Sequence, residues 1–421
     1  MRKLKEVYPM EQARFWSGAV LVLFCLCGAP SLRAQDLNTY LLQAEANNPE
    51  VQAFETKYHL AKERVEEANA LPNTELGVGV FVSEPETRTG AQKARFSIKQ
   101  MLPWFGTITA RERYGTAVAD VDYLEIAIVK RKLRLAVSQA YYALYALKKK
   151  QGVLQENLQL LQTYENLALA SVSVGRATAV DVLRLQIRQN ELLAQMAILQ
   201  RERASQEQNF NFLLNRDAEQ PVAVVDSLPI FDMDLGGMAI PELHPELEKY
   251  DRLYASVTQS ELLNQKESRP NVGLGLDYIP VADREGLVFD DNGKDIIMPM
   301  VSLSIPIFNS RHKSRSVQNK LRQEVIDRER EQRKNTLNSL LATAVGKMEV
   351  AKINHATQLK NLEQAKTAET ILVKNYETGT LDFSEVLQLQ ELQLKLEIQR
   401  IEAVKNYYGQ AAVLNYLTHG T

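Results

Sequence analysis

The most constraining feature of this sequence is that its ground plan occurs twice, about 200 residues apart. Short motifs in the first half recur in the same order in the second half, at offsets that grow from 196 to 204 residues. A long period of this kind indicates a duplicated architecture. The matching segments are Asn48-Pro49-Glu50 and His244-Pro245-Glu246, Leu71-Pro72-Asn73 and Arg269-Pro270-Asn271, Leu102-Pro103-Trp104-Phe105 and Ile305-Pro306-Ile307-Phe308, Val174-Gly175 and Thr378-Gly379, Asp181-Val182-Leu183 and Glu385-Val386-Leu387, and Phe210-Asn211-Phe212-Leu213 and Leu414-Asn415-Tyr416-Leu417.

The spacing between these motifs separates constant segments from a variable one. The offset rises by five residues between the Pro-Asn and Pro-Phe motifs, and then changes by one residue up to the glycine motif and by none afterwards. Loops accept insertions, whereas packed helices must keep their register. The constant segments are therefore predicted to be long helices, and the variable segment is predicted to be an exposed loop.

Residues 1–34 are predicted to be a signal peptide. Basic residues precede an apolar run at 19–27, and Ala34 offers a small residue for cleavage. The run is short for a transmembrane helix. Met10 is an alternative start of translation. Lipidation at Cys25 or Cys27 is disfavoured, because large residues precede both cysteines.

Without residues 1–34 the chain contains no cysteine, which excludes disulfides, a thiol nucleophile and thiolate metal sites. Loss of five basic and two acidic residues changes the formal charge from −2 to −5, which gives no reason to expect nucleic-acid binding. No later apolar stretch approaches 18 residues, so no membrane-spanning helix is predicted. An exported chain of this kind is periplasmic, secreted, or anchored in an outer membrane by strands.

The distribution of proline predicts where the helices lie. Proline is absent from 104–220 and from 307–421, and both stretches are rich in Leu, Gln, Glu, Lys, Arg and Ala. Each copy is predicted to form a helix of about 70 residues that ends at Gly175 or Gly379, followed by one of about 40 residues. The longer helix would extend about 105 Å, which is typical of coiled-coil-like packing.

Segments of a different period lie between shorter leading helices, at about 36–70 and 241–268, and the long helices. Apolar residues alternate there with small or polar ones, which predicts β-hairpins at about 74–101 and 271–305. Strands of nine or ten residues are long enough to cross a bilayer when tilted. A small soluble sheet is the alternative; the export signal and the glycines on the non-apolar face favour the membrane.

The number of strands bears on assembly. One chain supplies four strands, but a sheet in lipid must close because unpaired edges cannot be tolerated there. About eight strands are needed for closure. The chain is therefore predicted to form oligomers, with two copies giving eight strands and three giving twelve.

These motifs together resemble those of the TolC-like outer-membrane efflux proteins, along essentially all of the chain after the signal peptide. The resemblance implies a mixed α/β membrane protein in which a long antiparallel α-helical barrel continues into a 12-stranded transmembrane β-barrel formed by three chains. It is carried by the tandem Asn-Pro-Glu and His-Pro-Glu starts, the junctions Gln100-Met101-Leu102-Pro103-Trp104-Phe105-Gly106 and Leu303-Ser304-Ile305-Pro306-Ile307-Phe308, and the Gly-x5-Asp/Glu-Val-Leu-x-Leu-Gln turns.

The implied function is that of a passive homotrimeric exit duct in outer-membrane lipid, which is not an enzyme and completes a tripartite pump with a periplasmic adaptor and an inner-membrane transporter. The Leu-Pro-Trp-Phe-Gly junction is most similar to the metal-exporting branch. The implied organisation is a signal peptide at 1–34, repeat 1 at 35–220, a linker at 221–240 and repeat 2 at 241–421. A secretion duct for polypeptides, a periplasmic adaptor and a coiled-coil structural protein are the alternatives.

The resemblance also implies a constriction at the periplasmic end. Glu385 matches one acidic residue of the family constriction, whereas Gln388 replaces the second. Tyr376 matches a tyrosine that ties the closed tip to a neighbouring helix, while Leu381 replaces its basic partner. Asp181 is the counterpart of Glu385 in the first copy. For each of these residues, an ordinary helix start or packing position is the alternative.

The two turns are predicted to form the docking end for the adaptor. No cofactor is predicted, and no metal site either, because the five histidines are scattered. Met298 and Met300 are explained as strand packing. The predicted docking residues are Val174, Gly175, Arg176, Thr378 and Gly379.

Overall fold

The computed structural model describes residues 37–175, 178–231, 239–286, 288–307, 310–378, 380–381 and 383–418. The predicted signal peptide lies outside the described residues, as do Arg176 and Gly379. In chain order the elements are α1 (Leu37–Asn47), α2 (Pro49–Ala68), β1 (Glu75–Val80), β2 (Glu86–Thr87), β3 (Gly90–Ala91), β4 (Ala94–Leu102), α3 (Thr107–Ser173), α4 (Ala179–Leu213), α5 (Pro245–Glu267), β5 (Asn271–Ile279), β6 (Ile296–Ser304), α6 (Arg311–Glu377) and α7 (Phe383–Thr418).

The predicted long helices are present in both copies. Helices α3 and α6 each contain 67 residues, and α4 and α7 contain 35 and 36. At 1.5 Å per residue, α3 and α6 each extend about 100 Å. Helix α7 of the second copy packs along α3 of the first, so the two repeats form one continuous helical body.

The first leading helix differs from the prediction, because the segment 36–70 is divided into α1 and α2. Pro49 has no amide hydrogen and occupies the first turn of α2, where that hydrogen is not needed. The side chain of Asn48 caps this helix by accepting a hydrogen bond from the Glu50 amide at 2.9 Å. The Asn-Pro-Glu motif is therefore a helix start that interrupts a longer helical segment.

The corresponding His-Pro-Glu motif starts α5 in the same way. Nδ1 of His244 accepts a hydrogen bond from the Glu246 amide at 3.3 Å. Its Nε2 then donates to the carbonyl of Tyr416 at 3.3 Å. In the first copy, Asn48 similarly donates to the carbonyl of Leu213 at 3.1 Å. Each cap thus ties the start of a repeat to the end of its last helix.

The four longer strands form one antiparallel sheet in the order β1-β4-β5-β6. The central pair, β4 and β5, joins the two repeats, with Phe96 opposite Tyr278. Strand β1 has six residues, fewer than predicted, because the chain bends at Val82 and Ser83. The short β2–β3 hairpin was not predicted. Within the described residues the sheet is open, with β1 and β6 at its edges.

The two faces of this sheet differ in chemistry. The cross-strand register places glycine, serine, charged residues and the methionines Met101, Met298 and Met300 on one face, and the large exposed apolar residues on the other. Large apolar side chains that remain exposed across a whole face mark a surface that another phase or molecule covers. The exposed residues of the apolar face are Leu76, Val78, Phe96, Ile98, Leu274, Leu276, Tyr278, Ile297, Val301 and Leu303.

No helix in the described part of the chain combines the length and hydropathy required to cross a membrane.

Candidate gate and docking site at the helical tips

The two helix-to-helix turns lie at the ends of α3 and α6 that are farthest from the sheet. Gly175 has a φ of 72°, a left-handed conformation that glycine adopts at helix ends, and its amide donates to the carbonyl of Val172 at 3.0 Å. In the second copy, the Thr380 amide donates back to the carbonyl of Asn375 at 3.0 Å. Both turns therefore end their long helices through backbone hydrogen bonds.

The predicted docking residues that the structure describes are accessible at these turns. Val174 and Thr378 are exposed, and a Cβ added to Gly175 would meet no other atom within 4 Å. Arg176 and Gly379 lie outside the described residues. The exposed backbone and small side chains leave this end of the hairpins open to contact with another molecule.

An aromatic cluster organises the tip of the second repeat. Phe383, the first residue of α7, is 2% exposed. Its ring centroid lies 4.9 Å from that of Tyr376 in α6 and 5.7 Å from that of Tyr164 in α3. The cluster therefore joins three helices and anchors the second repeat's tip on a helix of the first repeat.

Tyr376 has a buried hydroxyl without a hydrogen-bond partner in the described part of the chain. The residue borders a cavity of about 230 Å³ together with Leu381 and Phe383. A buried hydroxyl that makes no hydrogen bond destabilises a fold by about 1–3 kcal/mol. The geometry therefore leaves room for a partner that the described residues do not provide.

Glu385 and Gln388 lie on the exposed face of the first turns of α7. Three residues separate them, so they are neighbours on one side of the helix. Neither side chain forms a hydrogen bond or ion pair with the described residues. Gln388 also lines a cleft of about 430 Å³ between α4 and α7, beside Arg188 and Glu391.

Asp181 occupies a different environment from its counterpart Glu385. It is 9% exposed, and its carboxylate accepts hydrogen bonds from the backbone amide of Thr178 at 3.0 Å and from the Thr178 hydroxyl at 2.8 Å. These contacts stabilise the start of α4. The structural alternative that the sequence offered for Asp181 is the one that this geometry favours.

The sequence prediction missed a carboxylate near the tip that joins three helices. Glu369 of α6 accepts hydrogen bonds from the Tyr164 hydroxyl at 2.9 Å, from the side-chain amide of Gln393 at 3.0 Å and from the side-chain amide of Gln390. Burial, and next the hydrogen bond to Glu369, raise the pKa of Tyr164 well above its ordinary value. The hydroxyl therefore stays protonated as a donor. We call a Glu that accepts from two Gln residues across a hairpin a carboxylate clamp.

The first repeat contains a second carboxylate clamp. Glu165 of α3 accepts hydrogen bonds from Gln186 at 2.7 Å and from Gln189 at 2.8 Å. All three residues precede their counterparts Glu369, Gln390 and Gln393 by 204 residues, the offset of the neighbouring motifs. The sequence therefore contained the signal for this feature.

No group of three or more acidic, histidine or cysteine side chains within the described residues is arranged to hold a metal ion.

No protein-family model matches this chain. No curated protein matches it. Solved structures do match it over nearly its whole length. The structure of VceC, an outer membrane protein of Vibrio cholerae, is 15% identical with a TM-score of 0.72, covering 91% of this chain and 96% of that one.

Two further structures agree with this result. CusC, a protein studied for transmembrane channel formation, is 15% identical with a TM-score of 0.76, covering 93% of this chain and 96% of that one. The open-state MtrE outer membrane channel of Neisseria gonorrhoeae is 16% identical with a TM-score of 0.67, covering 93% and 94%. The resemblance that the duplicated motifs predicted is confirmed at the level of the fold: this chain has the fold of the TolC-like outer-membrane channels.

Proposed function

We propose that this protein is the outer-membrane channel of a tripartite efflux pump. It would act as a passive exit duct for metal ions or small toxic molecules, and would dock to a periplasmic adaptor and an inner-membrane transporter. The observation that carries the proposal is an open four-stranded sheet with an exposed apolar face, continuous with helices of about 100 Å.

The open sheet supports an oligomer as the working form, and we propose that this oligomer is a trimer. Strands β1 and β6 expose unpaired backbone groups along their edges, which cannot remain unpaired in lipid. Three copies joined edge to edge supply twelve strands, more than the roughly eight that closure requires. The apolar face would then contact the lipid, and the face with glycines and charges would line the channel.

The tip of repeat 2 supports a gate in the same trimer. Three copies of Glu385 would form an acidic layer next to a layer of Gln388 amides, because both residues lie on one exposed face of α7. Tyr376 would act as the latch, since its buried hydroxyl lacks a partner among the described residues and a neighbouring chain would supply one. The turns at Val174, Gly175 and Thr378, together with Arg176 and Gly379, would contact the adaptor.

The proposed assembly is tested on protein purified from outer membranes in detergent. We expect a particle mass of three protomers, after the detergent contribution is subtracted, and stepwise conductance in planar bilayers. A mass of one or two protomers, or a lack of conductance from an assembled trimer, would refute the proposed channel.

The gate is tested with Glu385→Gln in bilayers at low salt. We expect lower cation selectivity, because three carboxylates on one axis focus a negative potential. The difference from the unmodified protein should shrink at 1 M salt, where the screening length falls to about 3 Å. Asp181→Asn is the matched control and should leave selectivity unchanged, since that carboxylate is held in a helix start. Equal effects of both variants would contradict the assignment.

The latch is tested with Tyr376→Phe, which keeps the packing on Phe383 and removes only the hydroxyl. We expect a higher resting conductance, because the closed tip would lose a hydrogen bond between chains. Unchanged resting conductance would show that Tyr376 is a packing residue.

A further inference from the structure

The face of the sheet opposite the apolar one carries an ion pair with unequal exposure. Arg95 of β4 pairs with Asp277 of β5, and the two side chains approach diagonally across the central strand pair. The side chain of Arg95 is 46% exposed, whereas that of Asp277 is 0% exposed. The cation of this pair is therefore accessible from the open face, and the anion is hidden.

Asp277 depends on Arg95 for compensation of its charge. One carboxylate oxygen bonds to Arg95, and the other has no hydrogen-bond partner in the described part of the chain. A buried charge is tolerated in a fold only when it is paired. Arg95 must therefore remain next to Asp277, which fixes the position of its guanidinium.

The surroundings of Arg95 keep its outer side open. The residue opposite Arg95 in β1 is Gly79, and a Cβ added there would meet nothing within 4 Å. A second charged pair on this face, Lys99 with Glu75 at 4.0 Å, is 42% and 69% exposed, so its two charges are both accessible. Of these two pairs, the one that contains Arg95 has a shielded anion and an accessible cation.

We propose that Arg95 forms an anion-attracting ring in the membrane section of the channel. This rests on the proposed function, in which three chains place this face around the lumen. Arg95 lies seven residues before Leu102, the helix-side end of β4, or about 23 Å farther along the strand. The ring therefore lies toward the external mouth, and small anions or anionic groups of solutes are its ligands. A narrow path between low-dielectric walls increases the effect of such a ring on passing ions.

The test is the reversal potential in a potassium chloride gradient at low salt. The double variant Arg95→Gln with Asp277→Asn removes one positive and one negative charge, so the net charge of the chain is unchanged. We expect a shift of the reversal potential toward cation preference, because the accessible charge is lost and the lost carboxylate was hidden. The shift should diminish at 1 M salt. Arg95→Lys is the matched control and should leave the reversal potential unchanged.

A second variant separates charge from structural damage. No cysteine is found after Cys27, so Arg95→Cys, made together with Asp277→Asn so that no buried carboxylate is left unpaired, is selectively modified by thiol reagents. Recharging this variant with 2-aminoethyl methanethiosulfonate should restore the anion preference, whereas a neutral methyl reagent should not.

The outcomes distinguish this proposal from the proposed function. A conducting double variant with an unchanged reversal potential would overturn the ring and leave the channel intact. Equal effects of the cationic and neutral reagents would also overturn it. An unmodified protein that does not conduct would refute the channel, and the ring with it.

Discussion

The tips of the two repeats share a carboxylate clamp but differ in what is built on it. Glu165 and Glu369 each accept hydrogen bonds from two glutamines across a hairpin. Glu369 also accepts a hydrogen bond from Tyr164 of the first repeat. The counterpart of Tyr164 in the second repeat is Ala368, which has no hydroxyl to donate to Glu165. The duplication has therefore kept the contact that holds each hairpin together and added a link between repeats at one tip.

The residues around the turns also differ, with larger aromatic side chains in the second repeat. The second repeat has Tyr376 and Phe383 where the first has Val172 and Ala179. In the first repeat Asp181, the acid after the turn, accepts hydrogen bonds that cap the start of α4, whereas Glu385 in the second repeat is exposed. Asp181 therefore has a structural role in repeat 1, and under the proposed function the exposed Glu385 of repeat 2 is the acid that forms the gate.

The largest effect is expected from Phe383→Ala, which would create a cavity in the aromatic cluster. Removal of a buried phenylalanine costs about 3–5 kcal/mol. The free energy of local opening, measured by hydrogen exchange at the amides of 376–390, should fall by that order. Leu183→Ala in repeat 1 is the control, because that side chain is 57% exposed and should cost less than about 0.5 kcal/mol. Comparable losses in both variants would break the contrast between the tips.

A smaller difference is expected between the two clamps. Glu369→Gln should lower the local opening free energy by about 1–3 kcal/mol, because three buried donors share one charged acceptor. Glu165→Gln should cost less, since Gln186 is exposed and no tyrosine contributes. Hydrogen exchange of both variants decides the point. Equal losses would show that the link from Tyr164 adds nothing to the tip.

Next in size is the loss of the helix start at Asp181. Asp181→Ala should destabilise the first turn of α4 by about 1 kcal/mol, because a capping carboxylate is removed. Glu385→Ala should cost only a few tenths of a kcal/mol, the contribution of an exposed acid near a helix dipole. Amide protection in the first turns of α4 and α7 measures both. A larger loss at Glu385 would reverse the assignment of roles.

The smallest effect concerns the caps that close the repeats. Burial lowers the pKa of His244 below its ordinary value of 6.5, so the folded protein holds the neutral ring. The unfolded chain binds the proton more readily, and stability should therefore fall as the pH drops below about 6.5. His244→Asn introduces the residue that repeat 1 has at Asn48. Melting temperatures at pH 7.5 and 5.5 should differ less in the variant, and an unchanged difference would exclude His244 as the cause.

Much of this architecture could be predicted from the sequence because it repeats. The constant offset predicted the long helices, and the alternation of apolar residues located the strands. The break before Pro49 could also have been predicted, since Asn followed by Pro is a typical helix start. The six-residue length of β1 could not, because it depends on where the chain bends in three dimensions.

The contacts at the tips could be predicted only in part from the sequence. The exposed position of Glu385 and the buried position of Asp181 were not distinguishable by spacing, because both follow their glycine by six residues. The residue three positions before each acid does distinguish them: Thr178 with Asp181 is a capping-box pattern, whereas the second copy has Asp382 in place of Thr178. The contact between Tyr164 and Glu369 depends on how α3 and α6 pack, and no local pattern specifies that register.

The central claim, a sheet completed by neighbouring chains, is tested most directly by cysteine cross-linking at its edges. Strands β1 and β6 of one chain are three strand spacings apart, about 14 Å, which is too far for a disulfide. Any bond between them must therefore join two chains. We would combine Leu76→Cys or Val78→Cys with Ile297→Cys, Pro299→Cys or Val301→Cys, since all five face the apolar side. In oxidised outer membranes, the account predicts a ladder of one, two and three linked chains and no larger species. Uncross-linked monomers in every combination, or a ladder that ends at two chains, would contradict it.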